Sequence, residues 1–327
     1  MIDSFLRAHR AGPIRVFSVA DIRSTAGGLG LALLLGSVPS VSLGCACGCG
    51  VFDVGTASMF PQHSGAMAFI EYDFMDQNQN WSGTSSAPAA NNSDKRIKTD
   101  FVNVGLQYQF NRSWGVEVEV PYWNRYFKTM DDSGSIVDFT HAALGDIRIK
   151  GVYTGFSADM STGVTFGLKL PTGDSTYPNF DPDTEIGSGS TDLLLGAYHL
   201  GNISQDGRWR YFAEAQWDQP IQHKSTYRPG NEVDATVGAY YEGWAISPKV
   251  KVAPVLQVTG TYRGHDGGDL GNPGDSGYTR ILLTPGVELD MSKLSVYADV
   301  GLPVYRNVSG NQLVSSQFWR LNISYRF

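Results

Sequence analysis

Residues 313–327 read LVSSQFWRLNISYRF, and the last nine of them carry two different surfaces on one extended segment. Successive side chains of a strand point to opposite faces. Leu321, Ile323, Tyr325 and Phe327, with Trp319 above them, therefore share one face, while Arg320, Asn322, Ser324 and Arg326 share the other. A soluble sandwich buries such an apolar face and ends in a polar tail. Here the alternation runs to the final aromatic.

The same grammar recurs backward through the sequence, with apolar positions two apart in residues 294–302, 281–289, 252–262, 233–241, 209–217, 193–199, 164–170, 144–153, 116–122, 102–110 and 66–74. Most of these runs have the length that a tilted strand needs to cross a bilayer. Between them, short connections (residues 111–114, 155–162, 201–208, 245–249 and 291–293) alternate with long ones rich in Gly, Asn, Asp, Ser and Pro (77–98, 128–142, 171–191, 220–231 and 263–277). The pattern predicts an all-β, closed antiparallel transmembrane barrel of about twelve strands with short periplasmic turns and long outer loops. An even strand count puts both ends in the periplasm of a Gram-negative bacterium. Tyr325 and Phe327 are then the expected assembly signal, read by the barrel assembly machinery. Aromatics collect at strand ends as two expected girdles in contact with outer-membrane lipid. Phe110, Trp114, Phe156, Trp209, Tyr211 and Trp244 mark the periplasmic edge, and Phe74, Tyr122, Tyr126, Trp217 and Tyr262 the outer edge.

Composition agrees with that architecture. Charged residues are 17%, aromatics 12%, glycines number 38, and the formal charge is −7, which excludes a nucleic-acid partner. The one long apolar run, residues 26–44 (AGGLGLALLLGSVPSVSLG), follows a basic leader and ends in small residues. It reads as a signal peptide over residues 1–44, followed by a Cys-containing periplasmic segment over 45–63 and the barrel over 64–327. Cys45, Cys47 and Cys49 lie immediately after the expected cleavage point. Two chemistries fit them: lipidation of Cys45, or a soft metal held by three thiols. A segment without a chemical role is the third reading.

If the apolar set faces lipid, the opposite set lines the lumen. That set holds Glu117, Glu119, Asp146, Glu214, Asp218, Asp234, Glu242, Glu288 and Asp299 against Arg148, Lys150, Lys169, Arg210, Arg280 and Arg320. The parity of residues 163–170 puts Leu168 toward lipid and Lys169 toward the lumen. Charges in a dry interior are prohibitive unless paired, so these residues pair, are hydrated, or both. Twelve strands fall between a filled barrel and an open porin, which predicts a narrow or partly plugged channel for a small-molecule solute, favouring cations. A non-conducting structural or binding barrel and an outer-membrane lipid hydrolase are the alternatives. No serine-nucleophile elbow is present, and no cofactor is expected.

Residues 144–150 (LGDIRIK), 163–174 (GVTFGLKLPTGD) and 190–198 (STDLLLGAY) resemble an outer-membrane family named for the MetA pathway of phenol degradation. The Leu-Pro-Thr-Gly element, Leu170 to Gly173, is the most recognisable part. The resemblance implies a transporter-like barrel for small hydrophobic or aromatic compounds. Pro171, Thr172 and Gly173 have their own physical reading as a turn that stops a strand and opens an outer loop.

Overall fold

The computed structural model describes residues 59–327. The expected signal peptide and Cys45, Cys47 and Cys49 lie outside the described residues. The strands are β1 (Gly65–Gly83), β2 (Ser85–Ser86), β3 (Arg96–Gln109), β4 (Trp114–Met130), β5 (Ile136–Leu144), β6 (Arg148–Tyr153) and β7 (Thr162–Lys169). They continue as β8 (Thr191–Asn202), β9 (Trp209–Gln222), β10 (Glu232–Tyr241), β11 (Trp244–Ser247), β12 (Val250–Arg263), β13 (Tyr278–Met291) and β14 (Leu294–Arg326). Eleven of these join into one antiparallel ring, with β2, β5 and β11 outside it. β14 makes two passages. Its first part pairs with β13 as far as Val308, and from Gln312 onward its second part pairs with β1. The Arg326 amide donates to the Lys293 carbonyl at 2.8 Å, so the two parts lie side by side and the wall has twelve passages. The turn between them needs a glycine. Gly310 has φ +67°, and a Cβ there would meet Asp275 Oδ1 at 1.9 Å.

Period two decides which surface is outside. Ile70, Val104, Leu106, Val237, Leu256 and Val258 are exposed, while Asp73, Gln77, Thr99 and Gln312 are fully buried. This inversion of the usual soluble arrangement is the signature of a wall solvated by lipid, and closure leaves no strand edge unpaired in that medium. Near the short turns, exposed aromatics interlock around the rim. Trp114 packs on Tyr153 (4.7 Å between centroids), Trp209 on Tyr241 (5.0 Å) and Tyr325 on Phe327 (5.1 Å). The Phe327 amide donates to the Ala66 carbonyl at 2.9 Å, closing the seam at its last residue.

Two expected boundaries are corrected. The region 128–142, expected as a long loop, is mostly strand: β4 runs to Met130, β5 starts at Ile136, and Asp131 Oδ1 caps the turn by accepting from the Ser133 and Ser135 amides. With 19 residues in β1 and 17 in β4, these strands exceed what a bilayer crossing needs and continue above it as polar hairpins. Beyond the membrane no apolar face is required, so hydrophobic alternation fades although the ladder continues. The expected strand 144–153 is broken at residues 145–147, because Asp146 turns aside to serve a loop, leaving β5 and β6 as separate partners of β4.

Candidate functional site

The interior charges are organised by register. Glu117 stands opposite Lys150 across β4 and β6, and Lys150 Nζ lies 2.6 Å from Glu117 and 2.7 Å from Glu119. Lys169 on β7 stands opposite Asp192 on β8 and reaches across to Asp218 on β9 at 3.0 Å. Arg320 on β14 stands opposite Asp73 on β1, 3.3 Å away, with Glu71 at 3.7 Å. Each of these three cations thus sits between two carboxylates, and each triad carries a formal charge of −1. In a low-dielectric interior the pairing is what makes such burial tolerable.

The remaining members of the expected set have other surroundings. Arg148 approaches Glu119 at 3.9 Å, and Arg210 pairs with Glu242 at 3.1 Å at the short-turn end of β9 and β10. On the opposite wall the partners are hydroxyls and amides: Asp234 accepts from Thr261 Oγ1 at 2.7 Å, and Asp299 accepts from the Tyr297 hydroxyl at 2.7 Å. Glu288 faces Ala253 and Tyr297 across the ladder, and Glu214 lines an inner cavity. Arg280 lies against the rings of Tyr278 and Phe318.

Asp146 is a fastener. Its carboxylate accepts from the Gly173 amide (2.9 Å), the Ser188 amide (2.8 Å) and the Ser188 hydroxyl (2.6 Å), while Thr172 Oγ1 accepts from the Ile147 amide at 2.9 Å. A Cβ on Gly173 would come within 2.7 Å of the Gly187 Cα, so the backbones touch only because both residues are glycine. The knot joins the Leu-Gly-Asp and Pro-Thr-Gly segments to residues 187–190. It holds the 170–190 loop in the barrel mouth, where Phe180 packs on Ile97, Phe127 and Leu313.

Arg125, absent from the expected set, completes this attachment. It is fully buried and donates to the carbonyls of Thr184 (2.5 Å) and Glu185 (3.0 Å) and to Thr99 Oγ1 (3.0 Å). The parity of Glu117 and Glu119, carried past Tyr122, would have pointed Arg125 inward. Phe60 was not legible at all. It lies inside the barrel, stacked on Tyr198 at 4.6 Å, in a cluster with Phe212, Tyr240 and Tyr297.

Among the described residues, two cavities adjoin these groups. The outer one, about 130 Å³, is roofed by residues 182–188 and lined by Phe101, Trp123, Tyr227, Asp192 and Asp218. The inner one, about 60 Å³, is bounded by Met59, Phe60, Tyr198, Glu117 and Lys150. Asn103, Glu119 and Arg148 line both, so they form the neck between the two. In the outer loops, burial pushes the Glu185 carboxyl up to about 7, with the Asp174 charge adding to the effect. Asp94 is pushed up to about 8 by burial and by the charges of Asp181 and Asp183. Among the described residues no three His, Cys, Asp or Glu side chains converge to hold a metal.

Neither a protein-family model nor a curated protein matches the sequence. Among solved structures, an outer membrane channel from Pseudomonas putida F1 aligns with a TM-score of 0.63 at 14% identity, over 84% of this chain and 100% of that one. The β domain of the Bordetella autotransporter BrkA gives 0.49 at 9% identity, over 81% of this chain and 100% of that one. The translocator domain of NalP from Neisseria meningitidis gives 0.44 at 11% identity, over 85% and 91%. The first of these likenesses covers most of this chain, and the fold of this chain is that of an outer-membrane β-barrel.

Proposed function

We propose that the protein is an outer-membrane channel for small solutes, with a narrow lumen that favours cations and neutral molecules over anions. The observation that carries this reading is the set of three triads, each a cation held between two carboxylates, around cavities joined at a common neck. Fixed negative charge in a confined low-dielectric passage raises the local concentration of cations, an effect that weakens as salt shortens the screening length. Phe101, Trp123 and Tyr227 in the outer cavity, and Phe60 and Tyr198 in the inner one, give a flat solute an aromatic lining. The resemblance of residues 163–174 to the MetA-pathway family supports aromatic compounds as the solute class. The signal-like leader and the lipid-facing belt support placement in the outer membrane.

Reversal potentials in planar bilayers under a KCl gradient test the proposal. The parent channel should prefer cations, less so at high salt. Glu117→Gln removes one negative charge and leaves Lys150 paired with Glu119, so preference should fall while the barrel stays folded. Anion preference in the parent, or no change in the variant, overturns the reading. Removing Glu117 and Glu119 together is a poorer test, since it strands Lys150 without a carboxylate.

A further inference from the structure

Unlike Lys150, Lys169 and Arg320, Arg280 and Arg306 do not sit between two carboxylates. Arg280 on β13 and Arg306 on β14 are direct cross-strand partners, so two like charges face each other at the barrel end that carries the long loops. Like charges in that relation repel. Arg280 is only 6% exposed, and its Nε and Nη2 atoms have no hydrogen-bond partner. Its guanidinium carbon lies over the rings of Phe318 (4.6 Å) and Tyr278 (5.0 Å), contacts that give Nε and Nη2 no acceptor. Arg306 lies over Trp81 at 5.1 Å and reaches one neutral acceptor, Gln79 Oε1, at 3.4 Å.

Both arginines line one small cavity together with Tyr278, Thr279, Val308, Val314, Ser315 and Phe318, and no carboxylate lines it. Two acids on the strands beside it accept hydrogen bonds from other groups: Asp234 from Thr261 Oγ1 and Glu232 from the Tyr278 hydroxyl. A buried lysine in this position would shed its proton, but a guanidinium does not. Among the described residues, no carboxylate lining this cavity supplies the counter-charge.

We propose that Arg280 and Arg306 form a binding site for a small anion. The cavity measures about 10 Å³, which is room for one water-sized atom. The chemistry that fits is a halide ion, or one oxygen of a carboxylate or phosphate inserted between two guanidinium edges. The site is independent of conduction through the lumen and stands or falls separately from it.

The test is thermal unfolding of the full-length folded protein in detergent, at constant ionic strength, as sodium gluconate is replaced by sodium chloride or by inorganic phosphate. A ligand that binds only the folded state raises the midpoint with a saturable dependence on its concentration. The midpoint should climb and level off with at least one of the two anions. A response to chloride alone identifies a single-atom site, and a response to phosphate alone an oxyanion site. Arg306→Gln, at a half-buried position, should keep the fold and lose the response; Arg280→Gln should lose it too. Equal midpoints in all three salts, or an undiminished rise in Arg306→Gln, overturns the proposal.

Discussion

Lys169→Met removes a cation while keeping most of its volume, and the structure fixes what is left behind. The Lys169 side chain is 15% exposed and bridges Asp192, 1% exposed, and Asp218, 10% exposed. Without it, two buried carboxylates face a methyl group and each other. Stranding one side of a buried ion pair costs about 3–5 kcal/mol, so Lys169→Met should lose about that much stability. Parity alone makes Lys169 a solvated lumenal residue whose loss is cheap; the bridge reverses that expectation. Lys169→Met combined with Asp192→Asn and Asp218→Asn removes every charge at once, and replacing all partners by neutral groups of similar shape should bring the loss back to within about 1 kcal/mol. Denaturant-driven unfolding from lipid vesicles, followed by tryptophan fluorescence, measures both. A single variant within about 0.5 kcal/mol of the parent, or a triple variant as unstable as the single one, refutes the claim that this charge is structural.

Val104 lies on the lipid face between Tyr108 and the level of Tyr122, so Val104→Arg should cost about 2–4 kcal/mol in the same assay, and a cost near zero contradicts the face assignment. Leu168 also faces lipid, but two positions beyond the Trp217 level, where the same change should cost less. Deleting Phe327 removes the amide that closes the seam on Ala66, and the inserted fraction should fall while export is unchanged; a normal yield counts against an assembly role. The raised Asp94 carboxyl holds its proton in the folded protein to about pH 8, whereas unfolded chain releases it near pH 4. Docking of the outer loops is therefore strongest below pH 4 and weakens as pH rises from about 4 to 8. Trypsin cleavage after Lys95, normalised at each pH to that of an unfolded peptide with the same site, should quicken over that range in the parent and by less in Asp94→Asn, where Glu185 still titrates. Intact mass should show a mature chain that begins at Cys45, and one that retains residues 7–44 refutes the cleavage assignment.

The sequence by itself determined the barrel. Alternation is a local property of an extended backbone, so residues 319–327 and their eleven counterparts announce which side chains share a face wherever the strands end up. Turn residues are local as well, which is why the long and short connections could be ordered along the chain. Tertiary structure decided everything that depends on register and closure. Lys169 meets Asp192 and Asp218 only because β7, β8 and β9 pair in one alignment, and Arg280 faces Arg306 for the same reason. Asp146 shares the parity of a lumenal charge, yet it fastens a loop, since the 170–190 segment folds back into the mouth and presents its amides there. Phe60 enters the interior from outside the repeating pattern. Periodicity assigns a side chain to a face, but the partner on that face comes from a distant stretch of chain, and only the closed ring brings the two within reach.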